Sequence, residues 1–212
     1  AMEIVFNVET DGLPRDEIQH LMPEFSAPSN YKDAEKIQTW KARKQEEWFL
    51  DAPSSALSGR VMAIGIQKPN QTPLVIIDSD EADILRQFWN YYRSNADCKF
   101  VGFNIYAWAI PFLVRRSWAN RVIVPKILNG RYLNGNFIDL LQVWGCGTFE
   151  KASLGNIARF FGIKRKDEEI NFNAMWQISP SRAIEKLKSD VLSIRRIGEA
   201  MGVVREEDSD EW

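Results

Sequence analysis

Val101-Gly102-Phe103-Asn104-Ile105-Tyr106-Ala107-Trp108-Ala109-Ile110-Pro111-Phe112-Leu113 is the stretch whose reading decides the fold. A strand predicted over Lys99–Asn104 runs into a short turn, and a helix is expected from about Ala109 to Trp118. Pro111 suits that start, because the first helical turn tolerates a residue without an N–H. The residue after the aromatic Trp108 is Ala109, which offers only a methyl group. A second strand opens the chain: the apolar run over residues 3–7 is expected to stop in the turn Glu9-Thr10-Asp11-Gly12. Side chains alternate with period two along a strand, so Asn7 and Glu9 share a face.

The elements around these two segments describe the domain. Two strands over Arg60–Gln67 and Leu74–Asp78, joined by Lys-Pro-Asn-Gln-Thr-Pro, read as an antiparallel hairpin. Residues 80–93 form an amphipathic helix through Ile84, Leu85, Phe88, Trp89 and Tyr92. Phe137–Val143 begins another helical region, and Ser153 caps a helix that ends before Gly162. The last long helix covers about Ser181–Met201 and carries Asp190 on its inner face. The order β, β, β, α, β, α, then mostly helix, specifies an α/β domain with a mixed central sheet, antiparallel in its first strands and flanked by helices. That is the layout of a ribonuclease-H-like fold.

One domain is expected over residues 1–212, with a helical insertion at about 23–58 and an acidic tail at 206–212. In the insertion, Trp40, Lys44 and Trp48 recur at helical spacing, and residues 31–51 carry five acids and five bases. The expected arrangement is a helix packed on the body by its tryptophans; a flap over substrate is the alternative. Tail residues 206–211 hold five acids in six positions, read as a frayed, solvated end.

Composition narrows the function classes. A net charge of −2 argues against gripping duplex DNA through global charge, so any nucleic-acid surface is local. His20 is the only histidine, which excludes histidine-cluster metal sites and makes a Ser-His-Asp system a poor reading; a solvated surface histidine is expected. Cys98 and Cys146 lack CxxC spacing and fit a reducing cytoplasm. No basic region precedes an apolar run at the start, and no stretch of ~18 apolar residues occurs, so a soluble, untargeted, cytoplasmic protein without a membrane partner is expected. Ala1 before Met2 reads as a residue left by cloning.

Phosphodiester hydrolysis by two metals needs several carboxylates, because paired dications about 3.5–4 Å apart clamp the attacking and leaving oxygens. An Asp-x-Glu at the end of a central strand, with one further Asp from each of two helices, builds that clamp. Residues 5–13 have the shape of the strand, residues 101–113 the second element, and residues 183–196 the third. On these segments the chain resembles the DEDD superfamily of 3′–5′ exonucleases, and is most similar to stand-alone relatives of the proofreading domain of family-B DNA polymerases. Asn104-x-x-x-Trp108-Ala109 matches that branch's Asn-x-x-x-Phe-Asp ahead of Ile-Pro-Phe-Leu. Leu57–Gly65, Ser153-Leu154 and Phe161-Gly162-Ile163 fit its connecting elements, and the resemblance spans roughly residues 3–203.

The resemblance implies a hydrolase using Mg²⁺ or Mn²⁺ at single-stranded DNA 3′ ends, two ions in active relatives. Glu9 and Asp190 match the family's metal-binding carboxylates, whereas Asn7 and Ala109 stand where aspartates are expected and Lys186 stands where a water-orienting Tyr is expected. Each charge lost beside a dication costs on the order of several kcal/mol at an effective dielectric of ~20, so a double loss removes several powers of ten in rate. The implied state is an inactive or nearly inactive nuclease holding at most one ion on Glu9 and Asp190. Natural loss and deliberate replacement of two aspartates both account for Asn7 and Ala109; Lys186, an odd choice for a knock-out, favours natural loss.

For nucleic-acid binding the resemblance points to Thr10, Leu13, Phe103, Asn104 and Trp108. Trp108 is either a stacking platform or a core residue at the strand–helix junction. Arg115-Arg116, Arg121, Lys126 and Arg131, and Lys164-Arg165-Lys166, are solvated faces or a phosphate track. Asp139 reads better as a helix cap than as a substitute carboxylate. The alternative function is a non-catalytic module that reuses the fold to bind a protein partner or a DNA end, with the acidic tail and the Trp-rich insertion as candidate surfaces.

Overall fold

Ile4, Val5 and Phe6 are all fully buried. Three consecutive buried residues occur only where both faces of a strand are covered, which makes their strand a central one. In the computed structural model, which describes residues 1–129, 132–133, 135–149 and 151–205, that strand is β1 (Glu3–Gly12), longer than the predicted run because pairing continues through the expected turn. The chain divides into two compact units, one formed by Ala1–Glu9 with Val61 onward and the other by Thr10–Arg60.

The first unit is built on a five-stranded mixed sheet. Its other strands are β2 (Gly59–Gln67), β3 (Leu74–Ile77), β4 (Lys99–Gly102) and β7 (Phe137–Asp139), in the order β3-β2-β1-β4-β7. The pair β2–β3 is antiparallel with Ile64 opposite Ile76, as predicted. Strand β4 runs parallel to β1, with Val5 beside Val101, and parallel to β7, with Val101 beside Ile138. Residues 137–139 were expected to be helical; they complete the sheet instead, and helix α5 (Leu140–Gly145) starts immediately after them. The short strands β5 (Leu128–Asn129) and β6 (Tyr132–Leu133) pair with each other.

Helix α3 (Glu81–Ser94) and helix α4 (Ile110–Ala119) cover one face. Phe6 meets Phe88 with ring centroids 5.6 Å apart, and Trp89 donates its indole N–H to Ser117 Oγ at 2.8 Å, joining the two helices. The opposite face carries Val5, Ala63 and Val101 against Leu187, Val191 and Ile194 of helix α8 (Pro180–Ala200). A Cβ on Gly65 would lie 2.6 Å from Val191 Cγ2, so the close crossing of α8 over β2 requires glycine there. Helix α6 (Leu154–Phe160) is capped by Ser153 as expected, and α7 (Phe172–Ile178), which sequence periodicity did not mark, packs Phe172 and Met175 into the same core.

The second unit contains α1 (Arg15–Ile18) and the predicted insertion helix, α2 (Ala34–Leu50), capped by Asp33. Arg15 pairs with Glu46 at 2.8 Å and lies over the Phe49 ring. No residue of α2 is buried; Trp40 and Trp48, expected to be its packing residues, are only half covered. His20 is exposed, as read from its polar surroundings, and both cysteines are free. No helix among the described residues is long and apolar enough to cross a membrane. Arg131 and the acidic tail 206–212 lie outside the described residues.

Candidate active site

Strand alternation puts Asn7 and Glu9 on the face shared with Val5, the face that α8 covers. Asn7 donates its amide N–H to Glu9 Oε1 at 3.0 Å. On α8, Lys186 and Asp190 are one turn apart and therefore neighbours on one side of the helix. Lys186 Nζ donates to Asp190 Oδ2 at 2.6 Å, and Arg165 Nη2 donates to Asp190 Oδ1 at 2.8 Å. Side-chain exposures of 3% for Asp190, 6% for Lys186 and 12% for Arg165 put this ion triad inside the protein.

Glu9 belongs to the same pocket. Burial pushes its carboxyl up to about 7; the Asp190 carboxylate pushes the same way, while Lys186, the Asn7 amide and Arg165 pull it down. Part of the Glu9 residue surface remains open, but the carboxyl group is enclosed, which is why burial outweighs two cations. Glu9 and Asp190, separated by most of the chain, thus converge with Lys186 and Arg165.

Arg165 was not singled out from sequence except inside the run Lys164-Arg165-Lys166. Its one sequence signal is position: just past helix α6 stands Gly162, which adopts φ +70 and returns its N–H to Arg159 O, so the next residues leave the helix abruptly. Lys164 and Lys166 are exposed whereas Arg165 turns inward.

Ala109 is 3% exposed and closes a π-helical turn (Ile105–Ala109) in which Trp108 N–H and Ala109 N–H both donate to Asn104 O. Asn104 holds φ 55, and Asp139 anchors the turn by accepting from Asn104 N at 2.8 Å, Tyr106 N at 2.9 Å and Leu141 N at 3.0 Å. Burial raises the Asp139 carboxyl, and these peptide N–H groups oppose the rise. Asp139 is the cap of α5, as its position indicated.

The remaining candidates scatter. Phe103 packs on the main core, and Trp108 is half-buried with its ring 5.5 Å from Phe112. Thr10 and Leu13 lie in the second unit, where Thr10 Oγ1 donates to Pro53 O and Leu13 N–H to Ser58 O, each at 2.8 Å. Arg116 fits neither alternative read for its run, a solvated face or a phosphate track: it is buried on Glu81, Nη2 to Oε2 at 2.7 Å. Glu81 also accepts from Val61 N and Asn120 Nδ2.

The arrangement does not fit a divalent ion. Both oxygens of Asp190 are engaged by side-chain cations, Glu9 has its Oε1 on the Asn7 amide, and Ala109 has no donor atom. Among the described residues no group of three or more His, Cys, Asp or Glu side chains is placed to hold a metal. A dication entering here meets two resident positive charges, each repelling it by roughly 8 kcal/mol at 4 Å and an effective dielectric of ~20. Arg165 on the second oxygen of Asp190 did not enter the expectation of at most one Mg²⁺ or Mn²⁺ on Glu9 and Asp190.

Comparison with known proteins agrees with the fold. The structure of the family B DNA polymerase from the hyperthermophilic archaeon Pyrobaculum calidifontis superposes with a TM-score of 0.56 at 14% identity, over 93% of this chain and 24% of that one. The chain therefore spans about a quarter of that polymerase. No curated protein matches the sequence significantly. A family model described as the RNase_H superfamily matches residues 54–177, more than half of the chain, and with the mixed sheet and its flanking helices this places the chain in the RNase H superfamily.

Proposed function

We propose that this domain is a 3′–5′ exonuclease-type fold that holds single-stranded DNA ends without hydrolysing them. One observation carries the reading: both oxygens of Asp190, the carboxylate that matches the third motif, are bound by Lys186 and Arg165. A carboxylate neutralised inside the protein is a structural group, and displacing its partners exposes a buried charge at a cost of roughly 3–5 kcal/mol. Burial raises the Glu9 carboxyl to about 7, so holding it ionised for a hard cation carries a cost. Fold likeness to a DNA polymerase supports nucleic acid as the occupant, and the loss of the clamp leaves binding as the activity.

The test is a pair of measurements on one preparation. Labelled single-stranded DNA incubated with Mg²⁺ or Mn²⁺ should keep its length, and fluorescence anisotropy at low salt should report binding. Shortening of the strand that a chelator stops would overturn the silence of the site; absence of binding would overturn the holding role.

A further inference from the structure

The surface where α5 and α6 meet carries an aromatic cluster with an exposed top. Trp144 and Phe160 lie 5.2 Å apart, Phe160 and Phe161 5.1 Å, and Trp144 and Phe161 6.2 Å. Trp144 and Phe161 pack on the hydrophobic core, whereas Phe160, standing on them, is 71% exposed. An exposed phenylalanine held by two anchored rings is a rigid platform that loses little entropy when something lies on it.

The surrounding charge identifies what would lie there. Residues 151–166 contain Lys151, Arg159, Lys164, Arg165 and Lys166 and no acid. Among the acids that follow, Glu168 is held by Arg159 and Asp167 by Arg182, leaving Glu169 as the acid of that turn with no ion pair among the described residues. Lys151, Lys164 and Lys166 are exposed and make no ion pair among the described residues. Past Gly162 the chain alternates outward, inward, outward, so the side chain that clamps Asp190 is flanked by two that reach solvent. The platform and the buried triad are thus joined through a single loop.

We propose that Phe160, braced by Trp144 and Phe161, stacks a base of a DNA single strand while Lys164 and Lys166 take its phosphates. The proposal rests on the reading of the domain as a single-strand holder and adds where the strand runs. Base–aromatic stacking tolerates any sequence, and lysines four and six residues past the ring supply a local backbone attraction in a chain of net charge −2.

The experiment is anisotropy of a labelled oligo-dT of about 16 nucleotides with the full chain, titrated from about 50 to 200 mM salt. Phe160→Ala should weaken binding about tenfold, within the range of one stacked base. The double variant Lys164→Glu with Lys166→Glu should reduce the slope of log K against log salt by about 1.4, two phosphate contacts at ~0.7 each. All three positions are exposed, and near-ultraviolet circular dichroism verifies that each variant keeps its fold. Wild-type binding that both variants reproduce in affinity and slope discards the platform while the single-strand reading stands. No wild-type binding at the lowest salt discards both. Dimers that Phe160→Ala dissolves, with DNA binding unchanged, would assign the face to a second copy of the chain and overturn the proposal.

Discussion

Lys186 Nζ and Asp190 Oδ2 are 2.6 Å apart on one face of α8, with both side chains almost wholly enclosed. In this pair a protein cation neutralises the buried carboxylate. Arg165 on the second oxygen completes it.

Removing Lys186 alone should therefore be harsher than its position on a long helix implies. Lys186→Met leaves Asp190 buried with one partner, and a loss on the order of 3 kcal/mol is expected in urea unfolding. Lys186→Met combined with Asp190→Asn should lose less than the sum of the two single changes. Additive losses would show that the pair is not coupled.

Divalent ions should leave stability untouched. An ion that bound only the folded state at a hundred times its Kd would add about 2.7 kcal/mol, several degrees in Tm. Equal melting temperatures in Mn²⁺ and in chelator are the expected outcome. Asn7→Asp with Ala109→Asp restores two carboxylates but keeps both cations, so it should remain silent; a Mn²⁺-dependent rise in Tm should appear only when Lys186→Tyr is added. A rise in the wild-type chain refutes this account.

The Glu9 carboxyl gives stability a signature in pH. Its folded value, about 7, lies above the ordinary 4.5, so the folded state holds the proton more tightly. The contribution is complete below about pH 4.5 and is lost as pH rises through 7. At 1.36 kcal/mol per unit, the loss is on the order of 2–3 kcal/mol once partial solvent access is allowed for. Glu9→Gln, which keeps an acceptor for the Asn7 amide, should remove that decline. Parallel curves for the two proteins between pH 4.5 and 7.5 would contradict it.

Gly65→Ala should be destabilising by about 1–3 kcal/mol through overpacking, since the added methyl meets Val191 Cγ2 at 2.6 Å. Chemical denaturation measures it directly. The same shift pushes on the helix that bears Lys186 and Asp190, so the Glu9 pH dependence should change as well.

Much of this was legible in the residues. Alternation put Asn7 and Glu9 on one face of a strand and Asp190 was read on the inner face of the last helix, while the resemblance alone implied that the two carboxyls meet. Short elements were not: β7 has only three residues and ends in a helix cap, so Phe137–Asp139 carried the signal of the helix that follows. The π-helical turn at Ile105–Ala109 has no period of its own, and its anchor, Asp139, lies some thirty residues away. Arg165 was hidden because a basic residue between two lysines looks solvated until the left-handed turn at Gly162 reverses the chain.

Asp139 limits how this site can be re-engineered. Peptide N–H groups stand around its carboxylate as water would around a free ion, and they come from the loop that shapes the start of α4 and from the first turn of α5. Recruiting that acid to grasp a metal would dissolve its shell and unravel the loop first. A designer must therefore bring new ligands to the site, because this carboxylate is already spoken for.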